Sequence, residues 1–167
     1  ARATCHHQLW ALERGAAHAD LEAGYGPDAP GNSRSEHWWQ IYQRPYETRH
    51  HSTSFVTERT INFIETATDN GDPWLAWCSF PDPHHPMTPP GEWFHRHKGE
   101  DMLLPDTRHD TLDGAPVHLR QFQAIHPRDQ RNWVAPCGHG SDGLLGEAIA
   151  ATYGMIEMID DGVGQIV

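Results

Sequence analysis

Val56, Thr60, Phe63, Ile64 and Ala67 recur at the spacing of one helical face, with polar residues between them. Ser52, Thr53 and Ser54 stand before this pattern as N-cap candidates, because a short side-chain oxygen can accept one of the unpaired N–H groups that open a helix. Asp69-Asn70-Gly71-Asp72-Pro73 then stops it with residues that tolerate left-handed backbone and a proline. The spacing predicts a helix over 52–69. Directly after it the pattern changes to Trp74-Leu75-Ala76-Trp77-Cys78-Ser79-Phe80, nearly all apolar, without alternation, and bounded by proline on both sides. Such a run suits a strand buried on both faces. A helix followed by a buried strand is half of a βαβ unit, so the expected fold class is α/β, a portion of a mixed sheet flanked by helices.

The expected strand leads into Pro81-Asp82-Pro83-His84-His85-Pro86-Met87-Thr88-Pro89-Pro90, in which five of ten residues are proline. Prolines hold a backbone in place at low entropic cost, and open α/β sheets bind ligands beyond the carboxyl ends of their strands. The loop is therefore expected to present His84, with His85 beside it, at the mouth of a cleft.

The rest of the chain is less regular. Leu9, Trp10, Leu12, Ala16 and Ala19 suggest one short helix, broken up afterwards by Gly24, Gly26, Pro27, Pro30 and Gly31. Trp38-Trp39-Gln40-Ile41-Tyr42 reads as an aromatic anchor, so 1–50 is expected to be an irregular excursion lying on a larger body. Residues 91–143 read as irregular. Leu145, Ile149, Thr152, Ile156, Ile159, Val163 and Ile166 alternate steps of four and three, which predicts a final helix with that stripe buried. At Asp160-Asp161-Gly162 this helix either ends or continues.

At 167 residues the chain has the size of one domain. Its net charge of −11, from 23 acidic and 12 basic residues, opposes phosphate contacts, so nucleic acid is not an expected partner. No run approaches the roughly 18 apolar residues of a membrane helix, and no membrane partner is expected. The chain starts at Ala1 and stops at Val167 inside an apolar pattern, so both ends read as cut. Three scattered cysteines do not make a disulfide framework, which favours a reducing, cytoplasmic compartment while leaving localisation unread.

Several segments in order resemble the sulfatase family of the alkaline phosphatase superfamily, nearest its arylsulfatase, choline sulfatase and phosphonate monoester hydrolase branch. PWLAWCSFPDPHHPMTPPGEWF (73–94) resembles the family's strand and loop, and HSTSFVTERTINFIE (51–65) the helix before it. EDMLLP (100–105) is similar to the acidic-hydrophobic segment that follows the loop. AIAATYGMIEMIDDGVGQIV (148–167) is similar to a helix of the form YYGMIxxIDDxVGxIL. The resemblance implies that residues 1–167 are a central part of a catalytic domain with an alkaline-phosphatase-like mixed sheet. It further implies a sulfate ester as small-molecule substrate, a formylglycine nucleophile, and a divalent metal, calcium or manganese. Homo-oligomerisation of the intact enzyme stays open.

Little of that machinery maps onto these residues. Cys5, Cys78 and Cys137 all lack the C/S-x-P-x-R pattern of the nucleophile. Asp160-Asp161 sits within the YGM-like segment, not where the family places its metal-binding Asp pair. The Lys-x-x-His-type segment that holds sulfate is also missing, so no metal ligand is expected among these residues. His84 matches the loop histidine that the family aims at the sulfate group and the leaving oxygen; His85 is carried over only as a neighbour in substrate binding. An imidazole suits that role because its ordinary pKa is about 6.5.

Other readings stand beside this one. His84 could simply hydrogen-bond backbone carbonyls, His51 could cap or pack at the helix start, and Glu58 and Arg59 could form a solvated face. The family also contains phosphonate and phosphate monoester hydrolases. From a different class comes a histidine-rich metal-binding module, built on Cys5-His6-His7, His84-His85, His95-x-His97 and Cys137-Gly138-His139, although none has the paired-ligand spacing of zinc sites. A catalytically inactive relative serving as a binding domain is the third.

Overall fold

In the computed structural model, which describes residues 5–22, 41–124 and 142–167, the α-helices run in the order α1 (His6–Glu13), α2 (His18–Glu22), α3 (Ser52–Asp69), α4 (Val117–Ala124) and α5 (Asp142–Ile166), with short 3-10 turns between them. Helix α3 occupies the span its periodicity predicts, and Gly71 follows it at φ 74. Its N-cap is His51, whose Nδ1 accepts the Thr53 N–H at 3.2 Å. The hydroxyl oxygens expected to cap are engaged elsewhere: Ser54 donates to the Thr48 carbonyl at 2.7 Å and Thr53 to the Asp82 carboxylate at 3.1 Å.

Helix α5 lies across α3 and across the turns Gly91–Phe94 and Gly99–Asp101. It runs through Gly162 to Ile166 without ending at the Asp160-Asp161-Gly162 break. The stripe it buries differs from the expected one: Gly146, Ala148, Ala150, Ala151, Gly154, Met155, Met158 and Gly162 face inward, while Ile156 and Val163 are exposed. The period was correct, but size decides the phase. A β-carbon on Gly146 would stand 2.3 Å from the Gly99 carbonyl oxygen, and one on Gly162 would stand 2.5 Å from the Thr57 hydroxyl. Glycine in mid-helix costs about 0.5–1 kcal/mol relative to alanine, and here the close approach of neighbouring chain segments offsets it. Ile41, Met87, Phe94, Ala148, Ala151 and Met155 complete this core; Trp10, Ala11 and Leu21 form a second cluster against Tyr46 and Phe55.

The expected mixed α/β sheet is corrected by the structure. Among the described residues there is no strand, only isolated parallel bridges of Ile41 with Met87 and Arg44 with Pro90, and helices dominate. Residues 74–80 belong to no helix and pair with no strand among the described residues, so they are not an interior strand. They lie along α3, where the Trp74 ring meets Phe63 edge-on at 6.3 Å and Cys78 Sγ lies 3.3 Å from the Thr60 hydroxyl, which donates to the Val56 carbonyl. Leu75 and Trp77 are 91% and 93% exposed. A segment becomes a strand only when a neighbour takes its N–H and C=O groups, and among the described residues no backbone bridges to this one. Two smaller differences follow local rules. The first helical pattern splits at Gly15, at φ 87, into α1 and α2, and α4 stands in a stretch that reads as irregular. Trp38, Trp39, Cys137 and His139 lie outside the described residues. No helix of the described residues is long and apolar enough to cross a membrane.

Candidate functional site

The proline loop is pinned at both ends. At its far end Met87, Thr88, Pro89 and Pro90 are buried, with Met87 and Pro90 bridged to Ile41 and Arg44. At its near end the Asp82 carboxylate accepts the Thr53 hydroxyl in the first turn of α3 and lies 3.6 Å from His51 Nδ1. By distance alone this second contact would be an ion pair. His51 Nδ1, however, already accepts the Thr53 N–H, so it carries a lone pair there and has no proton to give Asp82. Burial, helped by the charges of Arg44 and His7, pushes the His51 pKa down to about 3. Burial raises the Asp82 carboxyl, against the Thr53 hydrogen bond and the Arg44 charge, which lower it. Arg44 is itself buried, its guanidinium 5.3 Å from the centre of the Tyr42 ring.

Between these anchors His84 is exposed and His85 half-buried, their rings stacked with centroids 4.1 Å apart. His84 Nδ1 is 2.7 Å from the His85 carbonyl oxygen. A carbonyl only accepts, so Nδ1 carries the hydrogen, and the other ring nitrogen, Nε2, has no hydrogen bond among the described residues. The peptide bonds before Pro83 and Pro86 are both cis. The His85 pKa is lowered by burial and then by the charge of His84.

The structure thus places His84 and His85 side by side, His84 exposed and His85 half-buried. A cleft of 740 Å³ is lined by Trp10, Arg14, Thr57 and Asp161 among others, and one of 590 Å³ by Phe55, Phe63, Leu75 and Trp77; neither includes the two histidines. The carbonyl bond that a bland loop histidine would make is present on Nδ1, and it leaves Nε2 open. His51 caps its helix, as one of the readings had it. Glu58 departs from a merely solvated face, since it accepts the Trp10 indole N–H at 3.1 Å and pairs with Arg14. The sequence reading missed Asp82, Thr53 and Arg44 as a group. An acid between two prolines is a legible oddity, but nothing in the spacing announces a partner on another element.

Among the described residues no group of three or more His, Cys, Asp or Glu side chains comes together to hold a metal ion. His95 instead meets the Gln43 amide oxygen at 3.1 Å and His97 the Glu157 carboxylate at 3.1 Å. These residues therefore offer no cradle for the divalent metal that the resemblance implies.

No protein-family model matches the chain. It is 24% identical over 112 residues to the uncharacterized sulfatase YidJ of Escherichia coli K12, a match covering 67% of this chain and 20% of that protein. It is 28% identical over 122 residues to an arylsulfatase of Clostridium perfringens strain 13, covering 72% of this chain and 23% of the relative. The chain thus spans about a fifth of the length of these curated relatives. Matching two curated sulfatases over about 70% of its own length, the chain is supported as a segment of a sulfatase-family protein.

Proposed function

We propose that this chain is the part of a sulfuric ester hydrolase that supplies the histidine facing the leaving oxygen. The observation that carries the reading is the state of His84: Nδ1–H is fixed on the His85 carbonyl at 2.7 Å, while Nε2 lies open on an exposed loop. The matches to two sulfatases support the reaction class.

When a nucleophile attacks the sulfur of a sulfate monoester, the S–O bond to the alcohol breaks and leaves negative charge on that oxygen. An imidazolium with one N–H committed to the backbone can direct the other at that oxygen and give it a proton or a charge-assisted hydrogen bond. His85, stacked on the ring, limits how far His84 can turn. A formylglycine nucleophile and a divalent metal would come from other parts of the intact protein, the metal polarising the sulfate oxygens. The described residues do not fit the metal, so no step here passes through it.

The test is turnover of an aryl sulfate, with the matching aryl phosphate alongside, by the intact protein and its His84→Ala variant. Sulfate hydrolysis that falls by about 100- to 10,000-fold in the variant supports the reading. Equal rates in the two proteins, or turnover of phosphate alone, would overturn it.

A further inference from the structure

We infer that Asp82 is a positioning residue for His84, seating the histidine loop on the first turn of α3 through the Thr53 hydroxyl. This deepens the proposed function and rests on it. The geometry begins with an unusual burial. Pro81, Pro83 and His84 are exposed, yet the Asp82 side chain between them is only 13% exposed. A proline loop could turn toward water without burying an acid, and burying a carboxyl group is unfavourable unless it is hydrogen-bonded. The Thr53 hydroxyl meets that need at 3.1 Å. The N-terminal end of an 18-residue helix adds its partial positive charge.

Only Pro83 separates this anchor from His84, and the proline ring fixes one of the backbone torsions between them. The His84 N–H donates back to the Pro81 carbonyl at 3.3 Å, closing the turn around Asp82. The His84 ring then finds the His85 carbonyl because the loop is already folded back. If Asp82 leaves Thr53, the turn can swing, and the Nδ1–H bond that points Nε2 outward loses its frame. Arg44, also buried, bridges to Pro90 at the far end of the loop, and its charge acts on Asp82 at the near end.

The experiment uses the intact protein with Asp82→Ala, Thr53→Val and the conservative Asp82→Asn and Thr53→Ser, against aryl sulfates of graded leaving-group pKa. Asp82→Ala and Thr53→Val are expected to lower kcat by about 10- to 100-fold for poor leaving groups and by less than about threefold for good ones, with KM little changed. Asp82→Asn and Thr53→Ser, which keep the acceptor and the hydroxyl, should recover most of that loss. Added to His84→Ala, Asp82→Ala should cost nothing further. Nitrogen-15 spectra of His84 supply a readout apart from turnover: the Nδ1–H tautomer should dominate in the parent protein and give way to a mixture in Asp82→Ala and Thr53→Val. A loss in kcat independent of the leaving group, or one that multiplies with His84→Ala, would reduce Asp82 to a structural anchor and overturn the inference. Parent-like kcat and tautomer in both Asp82→Ala and Thr53→Val would overturn it as well. If His84→Ala itself leaves turnover unchanged, the functional reading fails, and the tautomer spectra then decide the seating of the loop by themselves.

Discussion

Gly154 passes so close beneath Trp93 that a β-carbon on the glycine would stand 2.1 Å from the tryptophan's carbonyl oxygen. Carbonyl oxygens in a turn cannot rotate away as a side chain can, so the helix or the turn would have to move. Gly164, ten residues later on the same helix, has nothing within 4 Å of its would-be β-carbon. The two sites should therefore respond in opposite ways to one substitution. Gly154→Ala is expected to destabilise the intact protein by about 1–3 kcal/mol through overpacking. Gly164→Ala should stabilise it by up to about 1 kcal/mol through helix propensity. Denaturant midpoints of the two variants check this; a stable Gly154→Ala would mean that the turn is not seated as described.

The buried histidine gives stability a defined pH dependence. Folded His51 takes up a proton only near its lowered pKa of about 3, whereas an unfolded imidazole does so below about 6.5. Unfolding therefore binds a proton as pH falls between those values, and stability present above pH about 6.5 is lost at about 1.4 kcal/mol per unit. Asp82 acts in the opposite sense, because its raised carboxyl takes a proton in the folded state first and adds stability toward acid pH. His51→Asn keeps an acceptor for the Thr53 N–H and removes the titration. Between pH 7 and pH 5 the variant should lose about 1–2 kcal/mol less than the parent. Parallel pH profiles would show that His51 does not titrate as a buried group.

Expressed by themselves, the 167 residues are expected to turn over no aryl sulfate above the level of a His84→Ala control, since the described residues bring together neither a metal cradle nor a nucleophile motif. They should also unfold without a sharp transition. Leu75, Trp77 and Leu103 stand in water, and the backbone at 74–80 pairs with no strand among the described residues. Calorimetry that gives a steep two-state melt would contradict this.

Titration of the same chain with zinc separates the sulfatase reading from a histidine-rich metal-binding module. The described histidine clusters point to separate partners, His84 to a carbonyl and His97 to Glu157. Only weak, non-stoichiometric zinc binding is expected. Tight one-to-one binding that drives folding would favour the module.

Local signals carried well from sequence to structure, and relations between elements did not. Helix α3 was legible because its start and stop are written in adjacent residues. Helix α5 was legible as a helix, yet its buried face was not, since hydropathy ranks Ile156 and Val163 above the glycines that neighbouring backbone requires. The run 74–80 is apolar enough for an interior strand, but pairing depends on a neighbour that its own composition cannot name. At the site, proline density and the family-like motif pointed to His84. Asp82 and Thr53 are 29 residues apart, and their hydrogen bond depends on how the loop folds back onto α3.

Because Gly146, Gly154 and Gly162 fall at equal intervals along α5, the two turns at Gly99 and Trp93 and the helix at Thr57 are read against one ruler. Inserting a single residue after Ala150 would swing everything downstream by about 100°, driving side chains under Trp93 and Thr57 while Gly146 stayed in place. The outer face of this helix can thus drift in sequence, but its length between those glycines cannot. Thr57 lies one turn from Thr53, so a frameshift in spacing far from the histidines would be felt at the seat of their loop.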